Sequence, residues 1–281
     1  MTPDRYAVVG NPIGHSLSPR IHALFAEQTG QHLVYEARLG RLGHFAEDVR
    51  EWFRDGLLGL NVTVPFKEEA FRLVDQHSRR AERAGAVNTI WAEADGLLTG
   101  DNTDGAGFLR DLTRRLGFDP AGRAILILGA GGATRGLLEP LLDAAPARLV
   151  IANRTPARAR GLQQDFADLA GGARLEASGL EDIPGGPYDL LINATAAGLG
   201  SDGLALPPGL LRTSGTAYDL VYGPAARRFL KWAEGQGAGT VTDGLGMLVE
   251  QAAEAFAIWR GVRPETAPVL AAIRDTAGGI G

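Results

Sequence analysis

The stretch RAILILGAGGATRGLLEPLLDAA, residues 123–145, constrains the fold of this 281-residue chain more than any other. It reads as strand, glycine turn and helix, in that order. Gly129 permits a tight turn, and Gly131 lets backbone approach a pyrophosphate at the N-terminus of the helix. The third position of the dinucleotide fingerprint is Thr134 rather than Gly or Ala, so the strict G-x-G-x-x-G pattern fails. A tight turn with no ligand would look similar, but strand, turn and helix come in the required order. RLVIANRT (148–155) reads as the next strand and PARARGLQQDFADLA (156–170) as the next helix, while YDLLINAT (188–195) and TAYDLVY (216–222) add strands. This alternation predicts a parallel sheet covered on both faces.

The second strand of that unit bears on the cofactor. An NAD site has an acid about 20 residues past the glycines, bonding the ribose hydroxyls. Here the strand ends in Asn153-Arg154-Thr155, with Arg158 one turn on and no acid. Two guanidiniums and a hydroxyl suit a 2′-phosphate. A solvated basic helix start is the plainer alternative, but cations are disfavoured at that end of a helix, so a bound anion accounts for them better.

The first hundred residues alternate too. RYAVVG (5–10), HLVYEARL (32–39) and LLGLNVTV (57–64) read as strands, and HFAEDVREWFRDG (44–56) as an amphipathic helix. Another helix opens at Pro19, with Ser18 as its expected N-cap, Ile21, Leu24, Phe25 and Gln28 at helical spacing, and Gly30 as its stop. TIWAEADGLLTGD (89–101) predicts a hairpin turning at Asp95-Gly96. DGAGFLRDLTRRLGF (104–118) predicts a helix N-capped by Asp104 and leading to a second domain; residues 247–261 and 264–278 give two apolar helices.

Composition excludes several classes. The net charge of −5 gives no general basic surface for nucleic acid or membranes, and no apolar run approaches a membrane span. The absence of cysteine removes disulfides, thiolate metal sites and cysteine nucleophiles. No secretory signal is read at the N-terminus, and a cytoplasmic protein is expected, with a small-molecule substrate, no metal, and an oligomer left open.

In GLNVTVPFKEEA (59–70) a lysine stands at the start of a helix, where its charge is least welcome. A solvated surface lysine is the ordinary reading; a cation aimed into a cleft is the other. The remaining polar groups gather at strand ends: His15, Ser16 and Ser18; Asn61 and Thr63; Lys67; Asn88 and Thr89; Asp101 to Asp104. Singly, each has a cap or turn role. Together they describe a pocket of hydroxyls, amides, one cation and one carboxylate, suited to a polyhydroxylated acid. His15 is read as structural.

The sequence resembles the shikimate dehydrogenases nearly end to end, through GNPIGHSLSPRIHA (10–23), LNVTVPFK (60–67), AVNTI (86–90), GDNTDGAGF (100–108), LGAGGATRG (128–136), ANRT (152–155), NATAAGL (193–199), YDLVYGP (218–224) and DGLGMLVEQAAEAF (243–256). The resemblance implies an α/β protein with an N-terminal substrate domain and a Rossmann-like dinucleotide-binding domain, a cleft between them, and the last helices packed on the first domain. The implied division is 1–104 plus 243–281 for substrate and catalysis, and 105–242 for NADP. It implies NADPH-dependent reduction of 3-dehydroshikimate to shikimate. Ser16 and Ser18 would hold the carboxylate; Thr63, Lys67, Asn88, Asp104 and Gln251 the ring hydroxyls, with Tyr222 beside them; Lys67 and Asp104 would be the catalytic pair. Gly129, Ala130, Gly131, Gly132 and Ala133 would meet the pyrophosphate, Asn153, Arg154, Thr155 and Arg158 the adenosine phosphate, and Leu220 and Gly244 the nicotinamide. One departure is NATAAG, where many relatives have serine at position 196 or 197.

On this reading Lys67 faces the cleft because the ketone at ring carbon 3 becomes an alkoxide on reduction, and an ammonium stabilises that charge and supplies the proton. Two alternatives stand beside it: a quinate/shikimate dehydrogenase with relaxed cofactor use, which would be expected to carry an acid near Asn153, and a non-catalytic NADP(H)-binding protein on a retained fold.

Overall fold

The computed structural model describes residues 2–195 and 206–277. The serine-lacking positions 196 and 197 therefore lie outside the described residues. The chain divides into two compact units, Met1–Gly107 with Leu248–Gly281, and Phe108–Met247.

The first unit holds β1 (Asp4–Gly10), α1 (Ser18–Thr29), β2 (Leu33–Leu39), α2 (Phe45–Arg54), β3 (Leu57–Val62), α3 (Lys67–Leu73), β4 (Gln76–His77), α4 (Arg79–Ala84), β5 (Thr89–Ala92) and β6 (Leu98–Asp101). Its sheet runs β2-β1-β3-β5-β6-β4. β1 pairs in parallel with β2 and β3, and the expected hairpin makes β5 antiparallel to both β3 and β6. The C-terminal ends of β1, β3 and β6 and the start of β5 therefore share one sheet edge, where the polar groups of this unit gather. Val9, Leu60, Val62, Phe66 and Ile90 fill the core beside it.

α5 (Asp104–Arg110) leads into the second unit and continues as a single π turn, Asp111–Arg115. The second unit holds β7 (Ala124–Leu128), α6 (Gly132–Asp143), β8 (Arg148–Asn153), α7 (Pro156–Asp165), β9 (Arg174–Gly179), β10 (Tyr188–Asn193), β11 (Leu211–Asp219), α8 (Arg227–Gly235) and β12 (Thr240–Thr242). Its sheet order, β12-β11-β10-β7-β8-β9, is parallel throughout. Read from β9, that is the doubly wound 3-2-1-4-5-6 order, whose strand order reverses beside β7. Ile125 and Ile127 enter one core cluster and Leu126 and Leu128 the other, so the uninterrupted apolar run reflects burial on both faces.

α9 (Leu245–Arg260) returns to the first unit, and α10 (Thr266–Ala277) follows it there. The crossings fall inside α5 and α9 rather than at the expected residues 104 and 243. At the first, a Cβ on Gly107 would lie 2.5 Å from the Gln251 backbone nitrogen, so the first turn of α5 is pressed onto α9 within the first unit. At the second, Gly246 abuts the Asp111 carboxylate and the Met247 N–H donates to the Tyr218 hydroxyl at 3.2 Å, tying the start of α9 to the second unit.

Two expected helix caps are corrected. Ser18 is the first residue of α1, not its N-cap; Leu17 precedes it with helical torsions. The Ser16 hydroxyl accepts the Ser18 backbone N–H at 3.3 Å. Ser16 N donates to Ile13 O at 3.0 Å, so this segment turns rather than extends. Asp104 is likewise the first residue of α5, and its carboxylate is used by side chains. Its own backbone N–H goes to Asn102 Oδ1 at 3.1 Å.

Candidate active site

Lys67 opens α3, and three contacts hold it there. Phe66, fully buried, stacks on Phe45 with ring centroids 4.9 Å apart. Gly40 makes room for that ring, since a Cβ there would lie 2.6 Å from it. The Lys67 carbonyl accepts the Val87 N–H at 2.9 Å, which places Asn88 alongside. The ammonium stands at a helix N-terminus, where the dipole opposes it. What balances it is Asp104: Lys67 Nζ lies 2.5 Å from Asp104 Oδ2. Both side chains keep a partly exposed surface, 28% and 13%.

Asn88 Nδ2 donates to the other carboxylate oxygen, Asp104 Oδ1, at 2.9 Å. Gln251 of α9 joins from the far end of the sequence, its Oε1 3.4 Å from Asn88 Nδ2 and from Thr103 Oγ1. Gln251 Nε2 is held by the Leu248 carbonyl at 2.9 Å. Lys67, Asn88, Asp104 and Gln251 thus form one hydrogen-bonded group. Thr63 follows β3, its N–H bonded to Val9 O at 2.9 Å. Its methyl fills the space left by Gly10, where a Cβ would lie 2.6 Å from Thr63 Cγ2. Ser16 and Ser18 sit in the loop after β1 and at the start of α1 on the same sheet edge. His15 is exposed, so it has no packing role.

Asp101, expected as a loop polar, is buried and structural. Arg80 and Ser78 both donate to its carboxylate, and Arg80 continues to Glu254 of α9 at 3.0 Å. Burial opposes its charge, but these donors together hold its carboxyl below the ordinary value.

In the second unit the candidate cofactor residues all follow strand C-termini. Gly129 has φ +110°, and a Cβ there would lie 2.9 Å from the Ala194 carbonyl oxygen, so the turn requires glycine. Thr134 is buried and donates to the Gly129 carbonyl at 2.9 Å, which explains how the third fingerprint position does without glycine. Gly131, Gly132 and Ala133 are exposed, and no atom would obstruct a Cβ at either glycine. The amides opening α6 are thus open to an anionic ligand. Asn153 Nδ2 bonds the Thr155 carbonyl at 3.0 Å, shaping the turn after β8. Arg154 and Arg158 are exposed and have no carboxylate partner among the described residues. An open helix N-terminus, two exposed guanidiniums and no acid after β8 fit a phosphorylated dinucleotide.

Leu220 follows β11, and its carbonyl would meet a Cβ on Gly244 at 2.1 Å, so these two backbones are in direct contact. Tyr222 lies in the same loop region; burial first, then the charge of Asp243, raises its phenol pKa. One residue here was not singled out in the sequence. Asp219 is fully buried at the end of β11, accepting from Asn193 Nδ2 at 2.9 Å and Val221 N at 3.0 Å. Burial pushes its carboxyl up to about 6 against those two donors, with Asp243 adding to the rise. An acid ending an apolar strand was the available signal.

Among known proteins, the family model described as shikimate dehydrogenase substrate binding domain matches residues 8–90. That described as shikimate / quinate 5-dehydrogenase matches 112–199, and the shikimate 5'-dehydrogenase C-terminal domain matches 244–274. The shikimate dehydrogenase (NADP(+)) of Alkalilimnicola ehrlichii is 56% identical over 271 residues, covering 96% of this chain and 98% of the relative. The solved shikimate 5-dehydrogenase of Thermus thermophilus, in complex with NADP(H) and shikimate, is 39% identical with a TM-score of 0.83, covering 96% of this chain and 98% of that one. A 5-ketofructose reductase of Gluconobacter is 31% identical with a TM-score of 0.85, covering 99% of both.

Proposed function

Because the chain belongs to the shikimate dehydrogenase family, we propose that it catalyses the reversible NADPH-dependent reduction of 3-dehydroshikimate to shikimate in aromatic amino acid (chorismate) biosynthesis, acting in the cytoplasm. The observation that carries this reading is the Lys67–Asp104 pair at 2.5 Å, with Asn88 and Gln251 gathered on it.

NADPH, when bound, supplies hydride to the ketone carbon. Its pyrophosphate is assigned to Gly129 through Ala133 and its 2′-phosphate to Asn153, Arg154, Thr155 and Arg158; Leu220 and Gly244 are assigned to the nicotinamide. Ser16 and Ser18 receive the substrate carboxylate, and Thr63, Asn88, Gln251 and Tyr222 orient the ring. Negative charge develops on the carbonyl oxygen, and the Lys67 ammonium stabilises it and delivers the proton. Asp104 holds Lys67 in place. In the oxidising direction the pair takes the proton from the substrate hydroxyl.

The test is a grid of shikimate, quinate and a simple keto-sugar pair (5-ketofructose with fructose) against NADP+ and NAD+ or their reduced forms, followed by nicotinamide absorbance. Shikimate with NADP+ should give the highest kcat/KM. Binding of NADP+ with no shikimate turnover would support the non-catalytic alternative. A preference for quinate and NAD+ would favour the relaxed one.

A further inference from the structure

Asp104 is reached from behind, through Asn88, by a run of three polar side chains that the mechanism leaves without a role: Tyr35, Asn61 and Thr89. Two backbone groups fix the direction of every proton in it. The Thr103 N–H can only donate, and it meets an Asn88 side-chain atom at 2.9 Å; that atom is therefore the oxygen, Oδ1. The Asn88 carbonyl can only accept, and it meets an Asn61 side-chain atom at 3.2 Å; that atom is therefore Nδ2. Asn61 Oδ1 then faces Tyr35, whose hydroxyl must donate to it, at 2.7 Å. Asn61 Nδ2 also donates to Thr89 Oγ1 at 3.1 Å. The Thr89 proton is left to go onward, to Asn88 Oδ1 at 2.8 Å. Asn88 Nδ2 donates to Asp104 Oδ1 at 2.9 Å and Lys67 to Oδ2 at 2.5 Å. From Tyr35 to Lys67, every donor points toward one carboxylate.

We propose that Thr89 is a positioning residue for the reduction: together with the Thr103 N–H it holds Asn88 Oδ1 from behind, keeps the amide from rotating as it presents Nδ2 to Asp104, and so holds the carboxylate on Lys67. This rests on the reading of Lys67 and Asp104 given above. Thr89 is fully buried in β5 and is placed to contact neither substrate nor cofactor on that reading. Without its hydroxyl, Asn88 Oδ1 loses a donor and Asn61 Nδ2 loses an acceptor, both inside the protein, where unmade hydrogen bonds are costly. The Thr103 N–H, at 2.9 Å, still decides which amide atom faces Asp104, so the amide does not turn over. With one of its restraints gone it rotates within that orientation, and Nδ2 and the carboxylate it holds move from the position Lys67 needs. Small displacements of a reacting group have large kinetic consequences.

Thr89→Val keeps the shape of the side chain and removes the hydroxyl; Thr89→Ser keeps the hydroxyl. Thr89→Val should lower kcat for shikimate oxidation roughly tenfold or more, with the KM for NADP+ unchanged. Thr89→Ser should stay within about twofold of the parent, and Tyr35→Phe, at the far end of the run, should lose less than Thr89→Val. The Asn88 side-chain amide protons, followed by NMR on labelled protein, should be slow to exchange in the parent and in Thr89→Ser, and fast in Thr89→Val. That readout does not need turnover. The parent rate with shikimate reports on the proposed function, whereas the amide signal and the variant-to-parent ratio report on Thr89. The idea is overturned if the Asn88 amide is unaffected in Thr89→Val, or if Val and Ser lose equal activity in step with loss of folded protein.

Discussion

At the scale of single residues, the position of Lys67 turns on a balance of two fields. The start of α3 repels a cation, and the Asp104 carboxylate attracts it from 2.5 Å. Lys67→Ala should lower kcat by on the order of 10²–10⁴, the usual worth of a positioned acid–base group, with a smaller effect on shikimate KM. Steady-state kinetics giving a kcat within a few-fold of the parent would remove Lys67 from the mechanism. Arg154 is exposed with no carboxylate partner among the described residues, so its charge is free for a ligand. Charge-assisted hydrogen bonds are worth roughly 1.5–3 kcal/mol, so Arg154→Ala should raise the KM for NADP+ about tenfold or more. The KM for NAD+, which lacks the 2′-phosphate, should barely change. Equal losses for both cofactors would mean that the arginine serves the fold.

At the scale of elements, the start of α1 shows how a one-position error changes a prediction. With Ser18 as N-cap, Ser18→Ala would cost a capping bond. The structure gives that bond to Ser16, whose hydroxyl accepts the Ser18 N–H at 3.3 Å. Ser16→Ala should therefore lower stability by about 0.5–1 kcal/mol, and Ser18→Ala by less, as urea midpoints would show. Both should raise the KM for shikimate if the two hydroxyls hold its carboxylate. A Ser18→Ala variant less stable than Ser16→Ala would restore the original cap. The same logic covers Asp104, which stands at a helix start but gives its carboxylate to Lys67 and Asn88.

At the scale of the whole molecule, buried titratable groups set opposite pH dependences. His22, in α1, is fully buried against Tyr35, with ring centroids 4.0 Å apart and planes within 5°. Burial lowers its pKa from 6.5 to about 3, with Asn61 opposing the shift. The unfolded chain therefore binds a proton between these values that the folded chain refuses. Stability from this group is present above pH 6.5 and declines as pH falls toward about 3, by an amount on the order of 5 kcal/mol. Asp219 acts in the other sense: with its pKa raised from 3.8 to about 6, the folded protein holds the extra proton, and stability from this group is lost as pH rises through about 6. Thermal melts from pH 4 to 8 should show His22→Phe with a flatter acid limb than the parent. An unchanged slope between pH 4 and 6.5 would mean that His22 is not the group responsible.

The βαβ order, the doubly wound unit, the hairpin at Asp95-Gly96 and the glycine turn were all legible in the sequence. Local periodicity and the steric freedom of glycine determine them, and neither depends on distant residues. Short or polar elements were not: β9 is an edge strand with mixed polarity, and β12 spans only Thr240–Thr242, too short for a period to register. The polar residues of the candidate site could be named from the sequence because motifs carry residue types. Lys67 and Asp104 could be named as a pair only through the family motifs, and the contacts of Asn88 with Gln251 and of Asn61 with Tyr35 could not be named at all, since they join residues across long stretches of chain. Whether a carboxylate caps its own helix or holds a lysine, and whether a histidine faces water or a stack of rings, depends on which partner packing brings within about 3 Å. Chain connectivity is silent on that; only the tertiary structure decided it.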